Sequence, residues 1–251
     1  MTKKDIKGVG YEFVEGGHAH YLDGERLTGI TTILGVIAKP ALISWAANMA
    51  VDYIDEKLPV KRDNNVLSVD ADDFKRILEE ARKAHTRKKE EAGQKGTDVH
   101  AEVELLIKEA IDASRGIVGA YSGTSEQVGH FINWAKDNKV KFLESEAKIY
   151  SKSLFLGGIC DFVCEIDKEI WIGDIKTGSG IYAEAFYQTA GYQMLFEEMG
   201  LYSNIKGHLI LNLKKTGEFK EKRSISNDDN KQAFLSALSL YRITAKTNGT
   251  L

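Results

Sequence analysis

Polar and apolar positions alternate over residues 11–15 and again over 18–22, and the pair predicts a hairpin about Gly16-Gly17. His18 and His20 fall on one face of the second strand, an arrangement zinc could use only with a third ligand that is not nearby. The period then lengthens. Pro40 suits the first turn of a helix running to about Lys57, with Leu42, Trp45, Ala46 and Met49 on one side. Residues 57–70 break the pattern and read as a loop, and a highly charged helix follows, roughly Asp72 to Ala92. Gly96-Thr97 opens another helix, with Thr97 as N-cap and Asp98 near the positive helix end. A Gly/Ser-rich loop (114–125) leads into a helix from Glu126 to Lys139. Three strands are expected next, at 146–152, 158–166 and 169–176. A helix over 183–199 ends at Gly200, and "IKGHLILNL" (205–213) reads as a buried strand. Thr216-Gly217 turns into the basic strand "EFKEKRSI". From about Asp228, Phe234, Leu238 and Tyr241 form one stripe of a last helix.

The order helix, three strands, helix, strand predicts an α/β fold with a mixed central sheet flanked by helices. By this reading, residues 1–92 are an N-terminal hairpin and helical elaboration, 93–226 the core, and 227–251 a C-terminal helix packing on it, all in one compact unit.

Composition narrows the function classes. The apolar share of 43% is ordinary for a globular protein. A net charge of -3 argues against binding nucleic acid through a basic tail, but leaves room for a local basic channel. Cys160 and Cys164 are the only two cysteines, too few for a disulfide framework or a four-cysteine metal centre, and both read as core. Trp45, Trp134 and Trp171 also read as core. The first residues, "MTKKDIKGVG", lack an apolar leader core, and no run approaches the length of a membrane span, so a cytoplasmic location is expected. No GxxxxGK[ST] motif is present.

The chemistry concentrates in "GGICDFVCEIDKEIWIGDIKTGSG" (157–180). A turn centred on Asp167-Lys168 pairs residues summing to 335, which sets Asp161 opposite Asp174, with Lys176 on the same face two residues along. Two carboxylates ~5 Å apart repel by about 3 kcal/mol at an effective dielectric of 20. A divalent cation between them reverses the sign, and Asp oxygens suit Mg²⁺ or Mn²⁺. Lys176 would stand beside a substrate phosphate, and the Ile175 carbonyl could complete the metal shell. The plainer alternative is a solvated sheet face with an Asp–Lys pair, which Val163 and Ile172 on the same face make less comfortable.

Other residues bear on the same site. His100 and Glu104 meet on one helix face and are compatible with either a metal-facing role or an ordinary half-buried surface. Gln188 and Tyr192, also four apart, carry groups able to hold a phosphate or a base edge. Glu146 begins a strand and could orient Lys176 or a water. Within "KKTGEFKEKR" (214–223), Lys214 and Lys215 are candidates for DNA-backbone contacts, although an exposed edge hairpin would be charged in any case.

In order, "GTDVH" (96–100), "GGICD" (157–161), "DIK" (174–176) and "QTAGY" (188–192) resemble the motifs of RecB-like nucleases in the PD-(D/E)XK superfamily. "GITTIL" and "LISWA" resemble the N-terminal segment of phage-encoded members. The resemblance covers about residues 96–213 and implies a restriction-endonuclease-like core. It further implies a Mg²⁺- or Mn²⁺-dependent deoxyribonuclease, often an exonuclease of recombination, repair or phage replication. It assigns His100, Asp161 and Asp174 as metal ligands, Lys176 as catalytic lysine, and Gln188 and Tyr192 as a DNA-contacting pair. Cys160 stands where the superfamily's name has Pro, and Asp174 where Glu is common. The iron–sulfur-bearing branch does not fit two cysteines. Three alternatives stay open: a catalytically silent nucleic-acid-binding module, a protein docking a partner such as an annealing or recombination protein through helix 72–92, and a structure-specific endonuclease. A homo-oligomer is compatible with the resemblance.

Overall fold

Alternation at the start of the chain builds the expected hairpin, Tyr11–Val14 (β1) against Ala19–Leu22 (β2), with a 3-10 turn over Glu15–Gly17. The computed structural model describes residues 10–58, 69–113, 125–214 and 216–249, with the backbone alone at Lys95. Most of both expected loops, and Lys215, lie outside the described residues. His18 takes a left-handed φ of 44° in the turn, so it does not share a strand face with His20. His20 is buried, with Nδ1 2.7 Å from the Tyr11 hydroxyl. Glu25–Arg26 (β3) pairs with β2. Thr28–Gly29 (β4) then joins the main sheet and runs into the one-turn helix Ile30–Ile33 (α1); neither stands out in the sequence, because both are very short.

Pro40–Lys57 forms α2, with Pro at its first turn as expected. Its apolar stripe is not buried: no α2 residue is buried, Leu42 is 54% exposed and Trp45, expected as core, is only half-buried. Trp134 and Trp171 are buried. The expected break near Gly96 is absent. Ala71–Asp112 is one helix (α3), and the Thr97 hydroxyl donates to the Gly93 carbonyl within it instead of capping a new start. A glycine costs a helix interior only about 1 kcal/mol, which the helix-forming residues around Gly93 and Gly96 absorb.

Glu126–Asp137 (α4) precedes an antiparallel meander of Lys141–Ser151 (β5), Leu156–Ile166 (β6) and Glu169–Lys176 (β7). β5 starts earlier than expected because charges at Lys141, Glu144 and Glu146 blur its alternation. Asp167 and Lys168, with φ of 53° and 65°, make the two-residue turn between β6 and β7. Ala183–Glu198 (α5) crosses over to Ile205–Leu213 (β8), which lies parallel to β7. Phe219–Ser224 (β9) closes the edge antiparallel to β8, and Asn227–Thr247 (α6) follows. The strand order is β4-β6-β7-β8-β9, with β5 also on β6.

This is an α/β fold with a mixed sheet flanked by helices. One face packs on Val103, Ile107, Phe131 and Trp134 from α3 and α4. The other packs on Ile30, Ile33, Tyr192, Leu195 and Phe234 from α1, α5 and α6. The chain up to Ile37 and from Asp98 onward forms one compact unit, and Ala38–Thr97 a second; the hairpin thus belongs with the core sheet. Within the second unit, the Arg87 guanidinium lies over the Tyr53 ring at 5.1 Å. Among the described residues, no single helix is long and apolar enough to cross a membrane.

Candidate active site

Strands β6 and β7 pair from Phe162↔Gly173 to Ile166↔Glu169, the register the turn dictates. One step beyond the last pair, Asp161 and Asp174 stand at the same level. There the two backbones no longer bond, and the Asp161 carboxylate takes over: its Oδ2 accepts from the Ile175 amide at 2.7 Å. Asp174 and Lys176 follow Ile172 onto the α5 face by alternation.

Asp174 is 1% exposed. Its Oδ1 accepts from Lys176 Nζ and from Gln188 Nε2, each at 3.0 Å. Its Oδ2 is buried and accepts no hydrogen bond, although the Lys176 ammonium lies 2.8 Å away. Gln188 also accepts from Lys176 at 3.1 Å and donates to the Tyr192 hydroxyl at 2.8 Å. Burial pushes the Asp174 carboxyl up, and the Lys176 ammonium pulls against it. Burial alone would lower the Lys176 amine, but Asp174 and Asp161 more than reverse that, so the ammonium keeps its proton.

The two glycines of "GGICD" act by being small. A Cβ at Gly158 would sit 2.8 Å from the Tyr192 ring, and one at Gly157 would sit 2.5 Å from the His20 ring. Tyr192 is buried, so it reaches any ligand through Gln188.

His100 Nδ1 approaches Asp161 Oδ2 at 3.7 Å. Glu104, one turn further along α3, is ion-paired with Lys108. Glu146 occupies the level of Asp161 on the opposite side from Asp174, between the pairs Ser145↔Phe162 and Ala147↔Cys160. It does so with a left-handed φ of 48°, a conformation that costs a non-glycine residue about 1–3 kcal/mol. Burial, then the Asp161 and Glu104 carboxylates, push its acid up to about 8.

This kink interrupts alternation in both strands. Cys164 packs with the α3/α4 cluster and Cys160 with the α5/α6 cluster, so the two thiols, four residues apart, are both core but lack the common face that strict alternation would give them. Three acids, Glu146, Asp161 and Asp174, therefore cross β5, β6 and β7 in one row, with Lys176 beside it.

No protein-family model matches the chain, and neither does any curated protein.

The donors are hard oxygens plus one imidazole. Among the described residues, no three His, Cys, Asp or Glu side chains are gathered closely enough to hold a metal ion. Asp174 is engaged by Lys176 and Gln188, and the Ile175 N–H donates to Asp161, a bond that does not involve the Ile175 carbonyl proposed as a ligand. Asp174 Oδ2, a buried acidic oxygen faced by the Lys176 ammonium at 2.8 Å, is the atom that would fit a metal cation once that ammonium moves aside.

Lys214 is ion-paired with Glu218 across the β8–β9 turn. Sequence reasoning passes over Asn212, which is fully buried with neither amide atom hydrogen-bonded. It lies on β8 in register with Lys176. An Asn in "LILNL", flanked by leucines, is the only sequence signal for it.

Proposed function

We propose that this protein hydrolyses DNA phosphodiester bonds with Mg²⁺ or Mn²⁺, as an exonuclease with a restriction-endonuclease-like core. The observation that carries the reading is the meeting of Asp161 and Asp174 at the level where β6 and β7 part, with the Lys176 ammonium 2.8 Å from a buried Asp174 oxygen. Burying acids in a row costs stability, and repulsion between two carboxylates ~5 Å apart would be about 3 kcal/mol at an effective dielectric of 20. Such an arrangement is reasonable where a positive charge is recruited for chemistry.

Asp161 and Asp174, drawn closer together with His100, would hold the ion, and the two aspartates would supply the negative charge that attracts it, while Glu146, its acid raised to about 8, adds no charge at neutral pH. When bound, the ion supplies Lewis-acid stabilisation of phosphoryl oxygens and acidifies an attacking water. Lys176 exchanges its contact with Asp174 for one with the reacting phosphate, stabilising the negative charge that develops there. Gln188 holds Lys176 and Asp174 in a common orientation, and buried Tyr192 fixes Gln188. The helix–meander–helix–strand order around these residues is compatible with the reading in general terms, as an α/β fold with a mixed sheet flanked by helices.

Incubation of end-labelled linear DNA, single- and double-stranded, with Mg²⁺, Mn²⁺ or EDTA tests the proposal. Metal-dependent release of short products is expected, with closed circular DNA left intact. No cleavage of any linear substrate with either metal would overturn the reading, and cutting of closed circles would reassign the enzyme as an endonuclease.

A further inference from the structure

The β8–β9 hairpin sorts its charges by face. On one face Glu221 accepts from the Trp134 indole at 2.9 Å, and Arg223 pairs with Glu221 while lying over the Trp171 ring. On the α5 face Lys222 lies 5.8 Å from the Phe186 ring centroid, and Lys220 follows it by alternation. Both are exposed, and among the described residues neither is ion-paired with a carboxylate. Lysines that only guard an edge strand against aggregation would serve on either face. Here the close ion pair is on one side, and on the other Lys220 feels the Glu218 charge only at longer range while Lys222 lies over Phe186.

Register carries those lysines to the candidate site. Asp174 pairs with Ile210, and Ile210 with Lys222; Lys176 pairs with Asn212, and Asn212 with Lys220. Two cross-strand rows on one face thus run from the acid–lysine pair to the sheet edge, a distance of ~10 Å at the usual strand spacing. The midpoint of the second row is polar: Asn212 is buried with neither amide atom hydrogen-bonded, which costs about 1–3 kcal/mol.

We propose that Lys220 and Lys222, continuing the line from Lys176 past Asn212, form the track for the DNA-backbone phosphates next to the cleaved one. The strand is led in over the β9 edge on the α5 face. This rests on the nuclease reading and assigns the direction from which its substrate approaches. Lys214, paired with Glu218, is not part of the track.

The test is binding of fluorescent single- and double-stranded oligonucleotides in Ca²⁺, across a salt series. It compares the full chain with Lys220→Gln/Lys222→Gln and with the charge-matched control Lys141→Gln/Lys206→Gln, whose lysines face Glu165 and Glu169. Each lost phosphate contact removes roughly 0.7–0.9 from the slope of log K against log salt. The track variant is therefore expected to show a slope shallower by about 1.5 and weaker binding at low salt, with the control unchanged. Cleavage by the track variant should show a raised KM with kcat largely retained. Equal slopes for the track and control variants, with cleavage by the parent protein intact, would overturn the track and leave the nuclease reading standing. Absence of metal-dependent cleavage by the parent protein would instead remove both. Competition by polyglutamate as strong as that by DNA at equal charge would assign the lysines to an acidic protein and also overturn the track.

Discussion

Glu146 carries an acid that folding neutralises, raised from an ordinary 4.5 to about 8 by burial and by Asp161 and Glu104. Between those values the folded chain holds a proton that the unfolded chain has released. Stability therefore falls as pH rises from about 4.5 to 8, with a slope of up to about 1.4 kcal/mol per pH unit from this group. Glu146→Gln cannot ionise, so in EDTA its urea-measured stability should gain on the parent's steadily from pH 5 to pH 8; parallel curves would refute the assignment. At the same scale, Lys176→Ala should lower cleavage on the order of 10²–10³-fold while calorimetric Mn²⁺ binding persists, whereas Asp161→Asn should lose both. Asn212→Leu should raise the melting temperature by removing two unsatisfied amide atoms, equivalent to about 1–3 kcal/mol; an unchanged or lower melting temperature would refute this. The opposition of Asp161 and Asp174 was legible because period-two alternation and a two-residue turn leave one register. The left-handed backbone of Glu146 was not, since nothing in "ESEAK" demands a positive φ.

Elements divide in the same way. β8 is read from sequence to the residue because a continuous apolar run buried on both faces has sharp ends. Gly96-Thr97 mimics a helix start within α3; in a helix continuous from Ala71 to Asp112, that local signal loses. The last turn of α5 does work its sequence does not advertise. Glu198 accepts from the Ser151 and Ser153 hydroxyls at 2.5 and 2.7 Å, and from the Lys152 and Ser153 amides at 2.8 and 2.9 Å, fastening the β5–β6 turn. Glu198→Ala should cost about 1–3 kcal/mol in a urea titration, with faster amide exchange at 151–154. A loss confined to the surface-substitution range of ±0.5 kcal/mol would mean that water replaces these bonds. His208 is a second hidden fastener: its ring nitrogens meet Gln193 at 2.9 Å and Asn230 at 3.3 Å, joining β8 to α5 and α6. Burial, then Lys231, lower its pKa to about 4, so its contribution is lost as pH falls from its ordinary 6.5 through that value.

At the scale of the molecule, protection should follow burial. β6, β7 and β8 are buried almost throughout, while α2 buries none of its residues. Hydrogen exchange is expected to be slowest in those three strands and fastest, among the long elements, in α2. The layered α/β architecture was legible because its strands and helices alternate along the chain with clear changes of period. The grouping of the N-terminal hairpin with the core was not, because it depends on contacts between residues far apart in sequence, such as His20 against Gly157.

That contact has a neighbour. Adjacent glycines at the entry of β6 admit a histidine ring from the hairpin on one side and the tyrosine that steadies Gln188 on the other. The strand acts there as a bare wall with a tenant on each surface, and any side chain added to it must evict one of them. A library randomised at Gly157 and Gly158 and selected for cleavage should return glycine at both, the first through loss of the hairpin's seating and the second through a displaced glutamine.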